Sequence, residues 1–321
     1  MRSTKRLVWS VVVSIAVLGA GCKSFDFLTR AENTFPVART CSDCHIDIHK
    51  EWSQSAHADA FRSPDFQAAT RQGDFSECLS CHVPEPKWTQ DTPVHRTVFL
   101  DDGVTCTTCH LADGKMFGPV EPSGLLRPHP IQVLRPQYSD AAFCGRCHAG
   151  TYQQWQSSPQ ADKPTCQQCH MPAVTRKATQ GKDAISDFIV SMEKASSQRR
   201  HTFTLDPQSM DAKTFDLNTV IDNKQIAVEL HNHLAHSFPT GDFGVQIGIL
   251  SVQYLDADNR QVKTARVELL QELKTAIPSG QSQKWTWDIP SGASSLKIQL
   301  FRQGRSEQDS VELLQRTVPL P

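Results

Sequence analysis

One short pattern of cysteine and histidine occurs five times in this chain. The copies are Cys41-Ser42-Asp43-Cys44-His45, Cys78-Leu79-Ser80-Cys81-His82, Cys106-Thr107-Thr108-Cys109-His110, Cys144-Gly145-Arg146-Cys147-His148 and Cys166-Gln167-Gln168-Cys169-His170. Two cysteines bracketing one helical turn can form thioethers to the two vinyl groups of one macrocycle, with the adjacent histidine held beneath the iron; this is the spacing of c-type haem attachment. The spacing thus predicts five covalent haem c groups, with the ten motif cysteines as attachment points and His45, His82, His110, His148 and His170 as proximal ligands. The competing chemistry is zinc, since Cys-x-x-Cys is also half of a zinc ribbon. Ribbons use such pairs in twos, whereas here every one of five is followed by His. With 13 His in 321 residues, five such neighbours arising by accident is on the order of one in ten million.

The remaining composition agrees. Of 11 cysteines, ten lie in the motifs and one, Cys22, outside them, so no pair is left for a disulfide. A formal net charge of -1 leaves no electrostatic footprint for nucleic acid or an acidic membrane surface. No cysteine follows Cys169, so the haem-bearing part and the rest are expected to be separate modules.

The elements that must position the motifs follow in chain order. Residues 1–21 have the build of an export signal, with Arg2, Lys5 and Arg6 before an apolar run from Leu7 to Leu18 and then Gly19-Ala20-Gly21. That run is short for a bilayer span. It resembles a bacterial lipoprotein signal in which Cys22 becomes the lipidated first residue, although Leu18 stands four places before the cysteine where three is usual. Lys23 after it resembles an outer-membrane sorting signal. Residues 22–40 read as a tether, 41–203 as the haem domain and 204–321 as a second domain. The first haem unit is expected to run as a helix from Cys41 to Phe61, because Ile48, Trp52, Ala56 and Ala60 recur every four residues. Pro84 and Pro86 stop any helix after the second motif, Asp101-Asp102-Gly103 turns the chain into the third, and His129 sits between Pro128 and Pro130 before the fourth.

Motifs one and two look like a duplicate of motifs four and five. Trp52 and Ser55 lie seven and ten residues past His45, as Trp155 and Ser158 do past His148, and His82-Val83-Pro84 answers His170-Met171-Pro172. The copies diverge twelve residues past the proximal histidine, where one has His57 and the other Gln160. The span Cys41 to His170 allots 26 residues to each motif, too little chain for a protein-only core. The haems are therefore expected to form the core, with Phe61, Phe66, Phe75, Trp88, Phe99, Phe143 and Trp155 packing on porphyrin faces.

Beyond His170, Ile185, Phe188, Ile189 and Met192 fall at helical spacing. From about Leu205 the chain reads as short strands: Ile226, Val228 and Leu230 alternate, as do Val245, Ile247 and Ile249, and Leu296, Ile298 and Leu300. Turns at 256–259, 278–280 and 290–292 separate them. The expected fold class is α+β multidomain: a mostly helical or irregular multihaem cytochrome c domain followed by an antiparallel, immunoglobulin-like β-sandwich.

The run Trp52-Ser53-Gln54-Ser55-Ala56-His57 behind a haem motif resembles the multihaem cytochrome c superfamily that includes hydroxylamine oxidoreductase and the tetrahaem electron carriers of nitrifying bacteria. Phe143-Cys144 through Trp155, Cys169-His170-Met171-Pro172 and Arg200-His201-Thr202-Phe203 are similar to membrane-associated members. Asn232 with His236-Ser237-Phe238-Pro239-Thr240-Gly241 resembles a Gly-His-x-x-Pro-Thr-Gly loop, with Ala235 in place of the first glycine. The resemblance implies that His57 ligates a neighbouring haem, and it makes His57, His95, His129, His201 and His236 the distal candidates. His49, one turn past His45 and on the same side of that haem, is a poor sixth ligand, and His231 and His233 read as structural.

An iron with both axial positions filled has no place for substrate. The expected function is a lipid-anchored, exported, five-haem electron carrier at the periplasmic or outer face of the outer membrane. Its expected partners are redox proteins or extracellular acceptors, with multiprotein or filament assembly compatible with this reading. The alternative is a reductase or oxidase of small nitrogen or sulfur compounds at one five-coordinate haem, which Gln160 keeps open.

Overall fold

The structure, a computed structural model, describes residues 36–71, 75–86, 93–123, 129–204, 214–222, 224–241, 246–303 and 310–321. The expected signal, Cys22 and Trp88 lie outside the described residues. Among the described residues no helix is long and apolar enough to cross a membrane.

The chain forms two compact units that do not follow a single cut in the sequence. One takes the residues up to Asp140 together with His170–Thr204, and the other takes Ala141–Cys169 with everything from Leu205. The fourth motif and both cysteines of the fifth thus belong to the unit that carries the long strands.

The first unit is built of short pieces. Its helices span Ala38–Cys41, Ile46–Ser53, Pro64–Ala69, Ser76–His82, Cys106–His110, Arg135–Ser139 and Ala184–Ser191. Between them run β1 (Leu111–Ala112), β2 (Lys115–Gly118) and β3 (Ile131–Val133) in one small sheet, and β4 (Ala173–Arg176) paired antiparallel with β5 (Ser196–Arg199) in another. Local chemistry sets the boundaries. Ser63 caps the helix that Pro64 opens, its Oγ accepting from the Phe66 amide, which suits the proline's missing N–H. Asp183 and Ser186 form a reciprocal capping box on Ala184–Ser191.

A helix running unbroken from Cys41 to Phe61 is not what forms. The attachment turn intervenes between Cys41 and Ile46, with His45 at φ -92°, ψ 53°, and the second helix stops at Ser53. Helical φ/ψ is abandoned there because Ser55 is buried and its Oγ receives the Ala58 amide, offering the backbone a local alternative. The apolar face expected on Ala184–Ser191 is present but not buried, with Ile185 76% and Phe188 67% exposed.

In the second unit the helices Ala142–Gly145, Ala149–Ser157 and the turn from Cys166 precede seven strands. These are β6 (Phe215–Asp222), β7 (Gln225–Asn232), β8 (Ile247–Leu255), β9 (Gln261–Leu269), β10 (Ser282–Asp288), β11 (Ser295–Gln303) and β12 (Val311–Pro319). They pair antiparallel in two sheets, ordered β10-β7-β6 and β12-β11-β8-β9. Alternate residues of both sheets, among them Leu217, Val228, Leu230, Val252, Ile298 and Leu300, fill one apolar core. On β8 the inward residues are Leu250, Val252 and Tyr254 rather than the Ile247 and Ile249 set. Because side chains alternate with period two, the pairing of Leu250 with Leu300 puts the even-numbered residues inside.

The two units differ in how much core they own. The stranded unit buries fourteen side chains in one cluster, each worth about 1.5–3 kcal/mol for a large apolar group. The clusters of the first unit hold three buried residues apiece: Ala38, Trp52 and Ala58 in one, Phe66, Leu79 and Val83 in the other. Among the described residues that unit shows no apolar interior of the size its length would otherwise need.

Candidate haem-binding site

Each attachment pair sits on a tight helical turn. Cys41 ends the helix Ala38–Cys41, and the His45 amide closes back on the Cys41 carbonyl at 2.9 Å. The second, third and fifth motifs lie within the helices Ser76–His82, Cys106–His110 and Cys166–His170. In the fourth, the His148 amide reaches the Cys144 carbonyl at 3.1 Å. The ten motif cysteines carry no disulfide. Cys41 and Cys106, from different motifs, touch through their sulfurs; that hydrogen bond and burial push the Cys106 thiol well above its ordinary value, while the same bond lowers Cys41.

Three of the motif histidines are aimed by the same device. The Nδ1–H of His45 donates to the Ala178 carbonyl at 2.8 Å, that of His82 to Ala60 at 2.6 Å and that of His110 to Phe117 at 2.8 Å. A carbonyl accepts only from a protonated nitrogen, so in the neutral ring Nε2 would be the nitrogen left to a metal. The acceptors are themselves held. Glu193 receives the Ala178 amide at 2.7 Å and the Thr179 amide at 3.3 Å, and the Tyr138 hydroxyl reaches the Cys109 and Phe117 carbonyls at 2.6 and 3.0 Å while stacking on His110. Phe66 stacks on His82 with ring centroids 4.0 Å apart.

Two histidine pairs have the separation that an iron between them would need. The rings of His45 and His129 have centroids 6.3 Å apart, and those of His110 and His201 are 6.1 Å apart. A coordinating nitrogen lies about 2.0–2.1 Å from a transition metal and about 1.1 Å from its own ring centroid, so two imidazoles trans across one ion should have centroids about 6 Å apart. Burial holds His110, His129 and His201 below the ordinary imidazole range, His201 down to about 4, where neighbouring His110 and Arg176 add to the effect. Neutral imidazole is the ligating form. Among the described residues no three His, Cys, Asp or Glu side chains gather as a bare-ion site. A haem iron, which brings its own four nitrogens, would need only one or two axial side chains, which a histidine pair at this separation could supply. The residues present therefore fit haem.

The other expected residues are placed as follows. His57 lies against Phe203, ring centroids 4.3 Å apart, and its carbonyl accepts the Val104 amide. Gly103, at φ +56°, is required there because a Cβ would collide with the His57 carbonyl. His95 bridges to Pro84, beside proximal His82, with Nδ1 on its neighbour's carbonyl at 3.1 Å. His236 is buried below its ordinary pKa, Nδ1 on the Ser237 carbonyl at 2.9 Å. Its loop is clasped to the helix after the fourth motif: Gln154 Oε1 receives the Ser237 amide at 3.1 Å and the Thr240 hydroxyl at 2.8 Å. Gln160, the residue standing where His57 does in the first repeat, donates its amide to the His233 carbonyl. His49 packs on Trp52. His231 bonds Ser282 across the β7–β10 pair, and His233 bonds Asp216.

A family model described as cytochrome c554 and c-prime matches residues 40–111, a span that takes in the first three motifs. The solved penta-heme cytochrome c552 from Thermochromatium tepidum superposes with a TM-score of 0.60 at 17% identity, over 87% of this chain and 97% of its own. The chain has the fold of a multihaem c-type cytochrome. No curated protein matches this sequence. A putative ApaA protein from Bordetella pertussis, at 12% identity over 33% of this chain and 90% of its own, reaches a TM-score of only 0.22. A glycoside hydrolase family 2 β-glucuronidase, at 18% over 34% of this chain and 11% of its own, reaches 0.19. Neither bears on the fold.

Several residues that shape this candidate site carry no sequence signal. Glu51 binds Arg176 through both oxygens, at 2.8 and 3.0 Å, and accepts the His201 amide at 2.9 Å. Tyr138 and Glu193 are equally silent in the sequence, since each acts on a histidine brought near only by folding.

Proposed function

We propose that this cytochrome carries five haem c groups and works as an electron carrier or conduit. The observation that carries the proposal is the spacing of His45 from His129 and of His110 from His201, which suits two irons with both axial positions filled. Such an iron offers no site to a substrate and exchanges single electrons. The chain's own residues do the rest: paired cysteines fix each macrocycle, the carbonyls of Ala178, Ala60 and Phe117 orient the proximal rings, and burial keeps the distal imidazoles neutral. The contact of Cys41 with Cys106 supports neighbouring attachment points for the first and third haems, an arrangement that suits passage of electrons between them. The count of five is supported by the five motifs and by the penta-heme neighbour's likeness over most of the chain.

His57, His95 and His236 are assigned as the further distal ligands. The stranded domain is assigned as an immunoglobulin-like sandwich, its sheets ordered β10-β7-β6 and β12-β11-β8-β9. By presenting His236 on the loop clasped by Gln154, it supplies a ligand and is not an appendage. Export, lipidation at Cys22 and residence at the outer membrane, with redox proteins or extracellular acceptors as partners, complete the reading.

Low-temperature electron paramagnetic resonance on the oxidised, haem-loaded protein tests it, with carbon monoxide added to the reduced form. Only low-spin signals and no carbon monoxide adduct are expected. One high-spin haem binding one carbon monoxide per chain would favour an enzyme of small nitrogen or sulfur compounds; the commitment of Gln160 to His233 makes the second repeat the place to look.

A further inference from the structure

Arg96 heads the fully buried side chains in size and is 1% exposed. A guanidinium does not surrender its proton inside a protein, so a cation is locked in the interior, a costly state unless an anion meets it. Its Nη2 donates to the Gly103 carbonyl at 2.5 Å, a neutral partner. Among the described residues Nε and Nη1 have no partner.

The chain goes to some length to put it there. The Arg96 amide donates to the Val83 carbonyl at 2.8 Å, the Glu85 amide to Val94 at 2.7 Å, and His95 bridges to Pro84, so the residue is laced to the segment just after the second motif. Its head reaches the carbonyl of Gly103, three residues before the third motif, a glycine at φ +56° where a Cβ would meet the His57 carbonyl. The charged groups that act on it there are Asp102, whose Oδ2 accepts the Ala38 amide at 2.8 Å, and Cys106, which becomes a thioether on haem attachment. His95 is its neighbour in the chain.

We infer that Arg96 is the internal counter-ion of a haem propionate, its Nε and Nη1 donating to that carboxylate where the flanks of the second and third motifs converge. The inference rests on the reading that the chain carries covalent haem, which brings two propionates with each macrocycle. A carboxylate paired with a fixed buried cation stays ionised whichever oxidation state the iron takes. The haem concerned thus has a higher potential than it would with the cation removed, and one that does not move with pH. Arg96 is a positioning residue and touches no iron.

The test is a potentiometric titration of the haem-loaded full chain at pH 5 to 8, for the natural protein and for Arg96→Gln, with haem content read by mass after denaturation. In Arg96→Gln one haem should show a tenfold change in its oxidised-to-reduced ratio at fixed potential, equal to about 59 mV downward for one electron, and should become pH-dependent. Arg96→Lys, which keeps the charge without the fork, should fall between. A fully loaded Arg96→Gln with unchanged midpoints and pH profile overturns the inference. If that variant does not load, infrared spectra of the natural protein with isotope-labelled propionates decide: one carboxylate ionised across the whole range supports the pairing, and ordinary titration of all of them overturns it. Absence of covalent haem from the natural protein would overturn the haem reading itself.

Discussion

Glu51 Oε2 accepts the backbone N–H of His201 at 2.9 Å, across 150 residues of sequence. The carboxylate leaves the helix behind the first motif, is gripped by Arg176 and approached by Arg200 at 3.5 Å, and so pins the residue that faces His110. Burial opposes its ionisation, but the hydrogen bonds from Arg176 and the His201 amide outweigh that cost and hold the carboxyl below its usual range.

Removing the charge should therefore do two separable things. Glu51→Gln strands Arg176, 11% exposed, and should cost about 3 kcal/mol, the scale of a broken buried pair, read as a lowered unfolding midpoint. It should also loosen His201 and raise a partial high-spin signal. Arg200→Gln, which removes an exposed partner, should change stability by less than about 1 kcal/mol.

Ligand deletion gives the sharpest count. His129→Ala and His201→Ala should each open one iron, seen as one high-spin haem and one carbon monoxide bound per chain, and the double variant should bind two. His49→Ala should bind none.

Tyr138→Phe keeps the ring on His110 but deletes the hydroxyl that reaches the Cys109 and Phe117 carbonyls. With the Phe117 carbonyl left to the His110 Nδ1–H alone, that bond should strengthen and make the imidazole a better donor. One midpoint should fall in a redox titration, with a stability loss of about 1 kcal/mol.

Tyr254 offers a test away from the haems. Its hydroxyl lies in the core of the stranded unit without a partner, and burial, aided by Asp288, raises its pKa above 10.0. A raised folded pKa favours the neutral form, so this contribution to stability is complete below pH 10 and fades as pH climbs towards the folded value. Tyr254→Phe should be neutral or stabilising by about 1 kcal/mol at pH 7 and should blunt the loss of stability above pH 10, both read by denaturant titration.

Gln154→Ala should free the loop that carries His236. Two hydrogen bonds end on that one amide oxygen, so a loss of about 1–3 kcal/mol is expected, with a spectral change at a single haem. An unchanged spectrum would detach His236 from ligation.

What the sequence determined by itself is whatever depends on neighbours in the chain. Cys41 and Cys44 stand only three positions apart, so spacing alone predicts the attachment chemistry at all five motifs. Alternation in Ile226, Val228 and Leu230 names a strand with one buried face for the same reason. Helical spacing at Ile185 and Phe188 names the helix Ala184–Ser191 that forms there; periodicity overreached at Cys41 to Phe61, where the helix stops at Ser53.

Only the tertiary structure decided who faces whom. The approach of His129 to His45 spans 84 residues and that of His201 to His110 spans 91, distances at which local propensity carries no information. The same holds for the Ala178 carbonyl behind His45, for Glu51 beneath His201 and for Gln160 turned to His233. A covalent motif is written in adjacent residues because its bonds are short; an axial ligand is written in the fold, because the second imidazole arrives from whatever segment the packing brings across the ring.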